Sequence, residues 1–160
     1  MKESIESFIE RHEGRRKKPY KCPAGANTIG VGWNMDANPL PKTIADYLKK
    51  HGEITDDMIN ILLNISVSNA IKDCLDLFPT WDNISLNRKM ALIDFVFNIG
   101  KHRTGHFVNT VAAINTGRWE DAADGIRKSL YWKQLGGDPP GTDDGKLERP
   151  EEIAELIEVG

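Results

Sequence analysis

HEGRRKKPYKCPAGANTIGVGW, residues 12 to 33, marks a change from helix to sheet. Upstream of it Ile5, Phe8, Ile9 and His12 recur at the i, i+3, i+4, i+7 spacing of one helical face, so a helix with Ser4 as N-cap should run to Glu13-Gly14. Gly14 suits the left-handed conformation past a helix C-terminus, and Pro19 forbids continuation. Tyr20-Lys21-Cys22 then reads as a strand, Pro23 to Asn27 as a turn, and Thr28 to Trp33 as a returning strand rich in β-branched residues. The product is a hairpin extended by a third short strand.

Downstream the periodicity is helical. Asn34, Asn38, Pro39 and Pro41 form a loop, and a short helical stretch containing Ile44, Ala45 and Leu48 follows. Thr55 is then an N-cap, with Asp56 and Asp57 suited to the positive end of a helix dipole. The face Ile59, Leu62, Leu63, Val67, Ala70, Ile71, Cys74, Leu75 and Phe78 carries this helix to Pro79. Leu86 to Ile99 is apolar on nearly every side, the mark of a helix enclosed by others. Gly100 and Gly105 punctuate it; helical patterns resume over Phe107 to Ile114 and Trp119 to Leu130. Residues 136 to 145 read as a polar loop, and Pro150 opens a final acidic helix. The fold class is α+β, mainly α, in a single domain of residues 1–160. Helix one and residues 14–54 form one lobe, 79–160 the other, and the helix at about 55–77 joins them.

Composition bounds the function. A chain of 160 residues with 39% hydrophobic and 28% charged side chains has enough surface for one globular core. It has no apolar run long enough to span a bilayer, and its first residues are too charged for a signal peptide. Two cysteines, Cys22 and Cys74, are expected as thiols in a reducing compartment. The net charge of −3 argues against a general nucleic-acid or anionic-membrane binder. That mean hides an asymmetry: Arg11 to Lys21 holds six basic residues against Glu13, and Asp138 to Glu158 holds eight acids against Lys146 and Arg149. The plain reading is two solvated faces.

Chemistry concentrates in the quoted stretch. Glu13 ends a helix, and the following hairpin can return Cys22 and Thr28 toward it. The negative end of the helix dipole and apolar neighbours disfavour an ionised Glu13, as a general acid requires, whereas a nearby guanidinium opposes them. Sequence does not decide which of Arg15 and Arg16 faces inward. Taken singly, each residue has a structural reading: a helix end, a small buried hydrophobe, a β-former.

The pattern Glu13, eight residues, Cys22, five residues, Thr28 resembles the catalytic pattern of the T-even-type bacteriophage lysozymes, endolysins of glycoside hydrolase family 24. Glu13-Gly14, Tyr20-Lys21 and Thr28-Ile29-Gly30-Val31-Gly32 match the family's surroundings. Ala91-Leu92 through Phe97-Asn98-Ile99-Gly100 resembles its central buried helix. Phe107, Asn109 and Thr110, then Gly117-Arg118-Trp119 with Ala122-Ala123, and Ser129 with Trp132 and Gln134, follow in register. The resemblance covers roughly residues 3 to 135. It implies a lysozyme-like fold of two lobes with peptidoglycan in the cleft between them; no cofactor is expected, and two cysteines support no structural zinc site. By analogy Glu13 protonates the oxygen of the β-1,4 bond between N-acetylmuramic acid and N-acetylglucosamine, and Cys22 and Thr28 hold water on the opposite face. An inverting reaction needs a gap of roughly 6.5 to 9.5 Å for that water. Asn34, Phe97, Asn98 and Thr110 match positions that line the substrate groove.

Departures from the family carry their own expectations. Cys22 stands where most members have Asp, so either a thiolate replaces the carboxylate or a polarisable group suffices to orient water. Lys18 and Lys21, close in sequence, would lower the thiol pKa. Trp33 stands in place of a usual His and could stack on a sugar. Leu130 replaces an expected Arg, leaving open whether Arg149 supplies that cation. A lytic transglycosylase of the same fold and a non-enzymatic binding module are the rivals. The expected setting is a monomer in the host bacterial cytoplasm, with no nucleic-acid partner, that meets the wall after membrane permeabilisation and depends on a holin only indirectly; a phage tail or an injected antibacterial effector is the alternative.

Overall fold

The computed structural model describes residues 3–129 and 149–160. The chain divides into two compact units, Met1–Asn69 and Ala70–Gly160. The division falls inside one continuous helix.

In the first unit, α1 (Ile5–Glu13) starts where the Ser4 hydroxyl accepts the Ser7 N–H at 3.1 Å. It buries Phe8 and Ile9, the apolar pair predicted from their spacing. The Gly14 N–H closes it on the Glu10 carbonyl. A three-stranded antiparallel sheet follows in the order β1 (Arg16–Lys21), β2 (Asn27–Gly30), β3 (Trp33–Asn34). Tyr20 lies opposite Thr28 and Lys21 opposite Asn27. The returning segment expected as one strand from Thr28 to Trp33 is two strands. Gly30 and Gly32 both adopt φ +66°, a region costly for residues with a Cβ, and between them the chain reverses. Cys22, expected in the first strand, lies just beyond it in the turn.

α2 (Lys42–His51) buries Ile44. α3 (Asp56–Leu77) begins at Thr55, whose hydroxyl accepts the Met58 N–H at 3.1 Å. Ile59 of α3 meets the backbone at Gly30, where a Cβ would lie 3.5 Å from it. Arg15 fastens these elements: its guanidinium donates to Glu10 of α1 at 2.9 Å and to Asp56 and Asn60 of α3. The basic segment is therefore partly neutralised within its own unit. Lys17 also reaches Asp56, at 3.3 Å, and Arg11 pairs with Glu3 at 3.1 Å.

In the second unit, Ala70, Cys74 and Phe78 continue the buried stripe of α3 and its end, Ile71 is half-buried, and Leu75 is 50% exposed. Leu75 is thus not a core residue: three positions after Lys72 on a helix with one buried stripe, it falls on the open side. A short 3-10 turn at Trp81–Asn83 leads to α4 (Leu86–Gly105). Within α4 Gly100 leaves helical geometry, at φ 85° and ψ 157°. The enclosed character expected of Leu86 to Ile99 holds from Ala91 to Val96, all buried. α5 (Val108–Asn115), α6 (Trp119–Arg127) and α7 (Arg149–Val159) complete the described bundle.

α7 is docked by charge as well as by Ile153, Ala154 and Ile157. Arg127 of α6 reaches Glu151 at 3.3 Å and Glu158 at 2.8 Å, and Arg88 of α4 donates to the carbonyls of Ile157 and Glu158. Arg149 makes a two-pronged pair with Asp94, at 2.7 and 3.0 Å; the Asp94 side chain is 0% exposed and that of Arg149 12%. Within this unit the Arg149 guanidinium balances a carboxylate in the middle of α4. Removing one member of such a pair strands a charge in a poorly solvated place. Arg149→Ala should therefore lower unfolding free energy by about 3 to 5 kcal/mol, read as a drop in urea midpoint at unchanged m-value.

Candidate active site

α1 and the sheet bring the chemical side chains of the first unit together. The Gly30-Val31-Gly32 reversal presses backbone against Glu13: a Cβ at Gly32 would stand 3.0 Å from Glu13 Oε2 and 3.1 Å from its carboxyl carbon. The carboxyl thus occupies space that only glycine leaves open. Beside it stands Tyr20, with the Arg16 guanidinium 4.6 Å over its ring. Burial and the charge of Glu13 push the Tyr20 phenol up; Arg16 opposes, Cys22 adds to the rise, and the Gly32 N–H donated to the phenol oxygen opposes. The net effect keeps Tyr20 a neutral phenol, within electrostatic reach of both Glu13 and Cys22.

Cys22 is half-buried at the start of the hairpin turn. Its N–H donates to Ala26 at 3.0 Å and its carbonyl accepts from Gly25 at 2.8 Å, which curls the Pro23–Ala26 backbone around the sulfur. Burial pushes the thiol up, but the N–H groups of Ala26 and Ala24, the Thr28 hydroxyl and the Gly25 N–H outweigh it and hold the thiol below its ordinary value. The direction matches the sequence expectation and the cause differs. Turn amides and a hydroxyl, rather than Lys18 and Lys21, favour the thiolate. Cys74, enclosed by apolar packing and near Asp73, is pushed up to about 12 and is chemically quiet.

Thr28 is 3% exposed, and its hydroxyl donates to the Ala26 carbonyl at 3.0 Å. The hydroxyl has one proton. It can donate either to Ala26 or to an ionised Cys22, so ionisation of the sulfur turns the Thr28 hydroxyl toward it.

The remaining sequence candidates have these positions. The Asn34 side-chain carbonyl accepts the N–H groups of Asp36 at 2.9 Å and Ala37 at 3.0 Å, shaping the loop after β3. Phe97 and Asn98 are half-buried on α4. Thr110 is 5% exposed, and its hydroxyl faces Gly125 so closely that a Cβ there would collide with it; it serves the packing of α5 on α6. Trp33, considered for sugar stacking, is 8% exposed and donates its indole N–H to the Asn38 carbonyl at 3.0 Å. Its flat faces are spent on the core. Leu130, Trp132, Gln134 and the loop 136–145 lie outside the described residues. Sequence reading missed Tyr20 and Gly32 as parts of the site. The signals were present, an inward strand position opposite Thr28 and a glycine two residues after another.

The family model for phage lysozyme matches residues 10–144. The chain belongs to the phage lysozyme family, a class of lysozyme-type peptidoglycan hydrolases. It is 27% identical over 146 residues to "Probable T4-type lysozyme 2" of Dictyostelium discoideum, covering 82% of this chain and 86% of that protein. "Probable T4-type lysozyme 1" of the same organism is 27% identical over 147 residues, with the same shares covered. "Pre-baseplate central spike protein Gp5" of Enterobacteria phage T4 is 26% identical over 148 residues, which span 84% of this chain and 26% of that longer protein. Among the described residues no helix is long and apolar enough to cross a membrane.

Two outcomes test the geometry. Gly32→Ala places a methyl against Glu13 on a backbone that disfavours it by about 1 to 2 kcal/mol; it should leave a folded protein whose lytic rate falls on the order of tenfold to a hundredfold, compared by circular dichroism and turbidity loss. Alkylation of the native protein by iodoacetamide should report Cys22 alone. Its rate should rise with pH through an inflection below the free-thiol value of about 8.5. In Thr28→Val that inflection should move up, because the thiolate loses a donor.

Proposed function

We propose that this protein is a muramidase that hydrolyses the β-1,4 bond between N-acetylmuramic acid and N-acetylglucosamine with inversion. The reading is supported by one observation above all: Tyr20 lies within electrostatic reach of both the Glu13 carboxyl and the Cys22 thiol, and, against burial, the turn amides and the Thr28 hydroxyl hold that thiol below its ordinary pKa. Glu13, as the carboxylic acid, gives its proton to the glycosidic oxygen as the bond to the anomeric carbon breaks. A water held by Thr28 and Cys22 attacks that carbon from the opposite face, and its proton passes to the Cys22 thiolate. The enzyme ends with an ionised Glu13 and a neutral thiol, so one proton exchange with solvent restores it.

Tyr20 keeps its proton through the cycle and fixes Gly32 beside Glu13. Phe97 and Asn98, half-exposed on α4, are the side chains assigned to the sugar chain; the other two expected positions are taken up, Thr110 by the α5–α6 contact and Asn34 by the loop after β3. The proposed setting is bacterial lysis from the host cytoplasm after membrane permeabilisation. Similarity to the T4 central spike protein favours a second setting, a lysozyme unit carried on a phage tail.

Glu13→Gln should retain its thermal unfolding midpoint and lose at least about 100-fold in lytic rate, whereas Cys22→Asp should keep a substantial part. Mass spectrometry of the digest should find reducing muramic ends. Anhydro-muramic ends would transfer the chain to the lytic transglycosylases.

A further inference from the structure

The second unit carries a pair of imidazoles that lysozyme chemistry does not use. His102 and His106 stand four residues apart, after the break at Gly100, and both are exposed. Spacing of i, i+4 puts both rings on one side of the helix. Their Nε2 atoms lie 3.3 Å apart, with ring centroids at 4.7 Å and planes at 75°. When no ion is bound the two nitrogens are within hydrogen-bond reach, one ring donating and the other accepting according to tautomer. The same separation equals the span between two ligands of a tetrahedral zinc ion, about 3.3 Å for bonds of about 2.0 to 2.1 Å. The pair borders an open hollow of about 550 Å³ walled by Leu77 and Val108, leaving room for an ion and its water. Lys101, which with Arg103 flanks His102, directs its ammonium to Asp76 at 2.8 Å.

We propose that His102 and His106 form a surface chelate for a zinc-class divalent cation, with water in the remaining positions. The sequence His102-Arg103-Thr104-Gly105-His106 has the ligand spacing of helical zinc sites, but Arg103 stands where a zinc hydrolase carries its general-base Glu. The ion would therefore bind and brace this short helical segment without hydrolysing anything. Nothing in this proposal depends on the muramidase reading.

Calorimetric titration of the intact protein with Zn²⁺, above the imidazole pKa of about 6.5, tests it. A thiolate also ligates zinc, so the titration is run in wild type and in Cys22→Ser. Both should bind one ion at this pair, and His102→Ala or His106→Ala in the Cys22→Ser background should weaken that event at least about tenfold. His51→Ala should not. In wild type, Zn²⁺ should shift the imidazole NMR signals of His102 and His106 and leave that of His51 in place, a readout that needs no variant to fold. Absence of binding in Cys22→Ser, undiminished binding after loss of either histidine, or unmoved His102 and His106 signals would overturn the proposal.

Discussion

The site depends on a close approach: the carboxyl of Glu13 rests on backbone at Gly32 in space a methyl group would fill. That approach exists because Gly30 and Gly32 both sit at positive φ and fold β2 back into β3 within two residues. The same reversal aims the Gly32 N–H at Tyr20, and Tyr20 is paired across the sheet with Thr28. One tight turn thereby sets the relation between the end of a helix and two strands. It does so through backbone, which is stiffer than any long side chain.

In the proposed reaction a cysteine can stand in an acid's position because the turn prepares it. A carboxylate brings its own low pKa; a thiol must have one made for it. Residues Ala24 to Ala26 direct amides at the sulfur, and the Thr28 hydroxyl adds a movable donor. The contrast with Cys74 shows how far surroundings govern this chemistry. Two identical side chains in one protein are driven in opposite directions, Cys22 down by aligned amides and a hydroxyl that outweigh burial, Cys74 up by burial and the nearby Asp73 charge.

Local signals carried most of the fold into the sequence. Ser4 and Thr55 cap the helices they precede because a hydroxyl before an apolar repeat has a nearby amide to satisfy. The proposed catalytic residues Glu13, Cys22 and Thr28 were legible as a spacing, and the passage from a helix into a hairpin that carries them was legible from Gly14 and Pro19. Less legible were features decided by which side chain fills a given space. Trp33 looked available to a sugar because an aromatic ring near a site has two uses, and here the core took it. Thr110 matched a groove position, yet the absent side chain of Gly125 drew its hydroxyl into the α5–α6 contact. The cause of the Cys22 shift was missed because backbone amides leave no letter in the sequence. Arg149 and Asp94 are 55 residues apart, and no periodicity links an arginine to a buried acid at that distance.

That long-range pair has a bearing on how the last helix is seated. Taking a guanidinium and a carboxylate out of water is costly, and their attraction repays it only in good geometry. The latch is therefore selective rather than strong: α7 placed out of register would leave Asp94 a stranded charge in the middle of α4. The ion pair discriminates among seatings, and the apolar contacts of Ile153, Ala154 and Ile157 hold the chosen one.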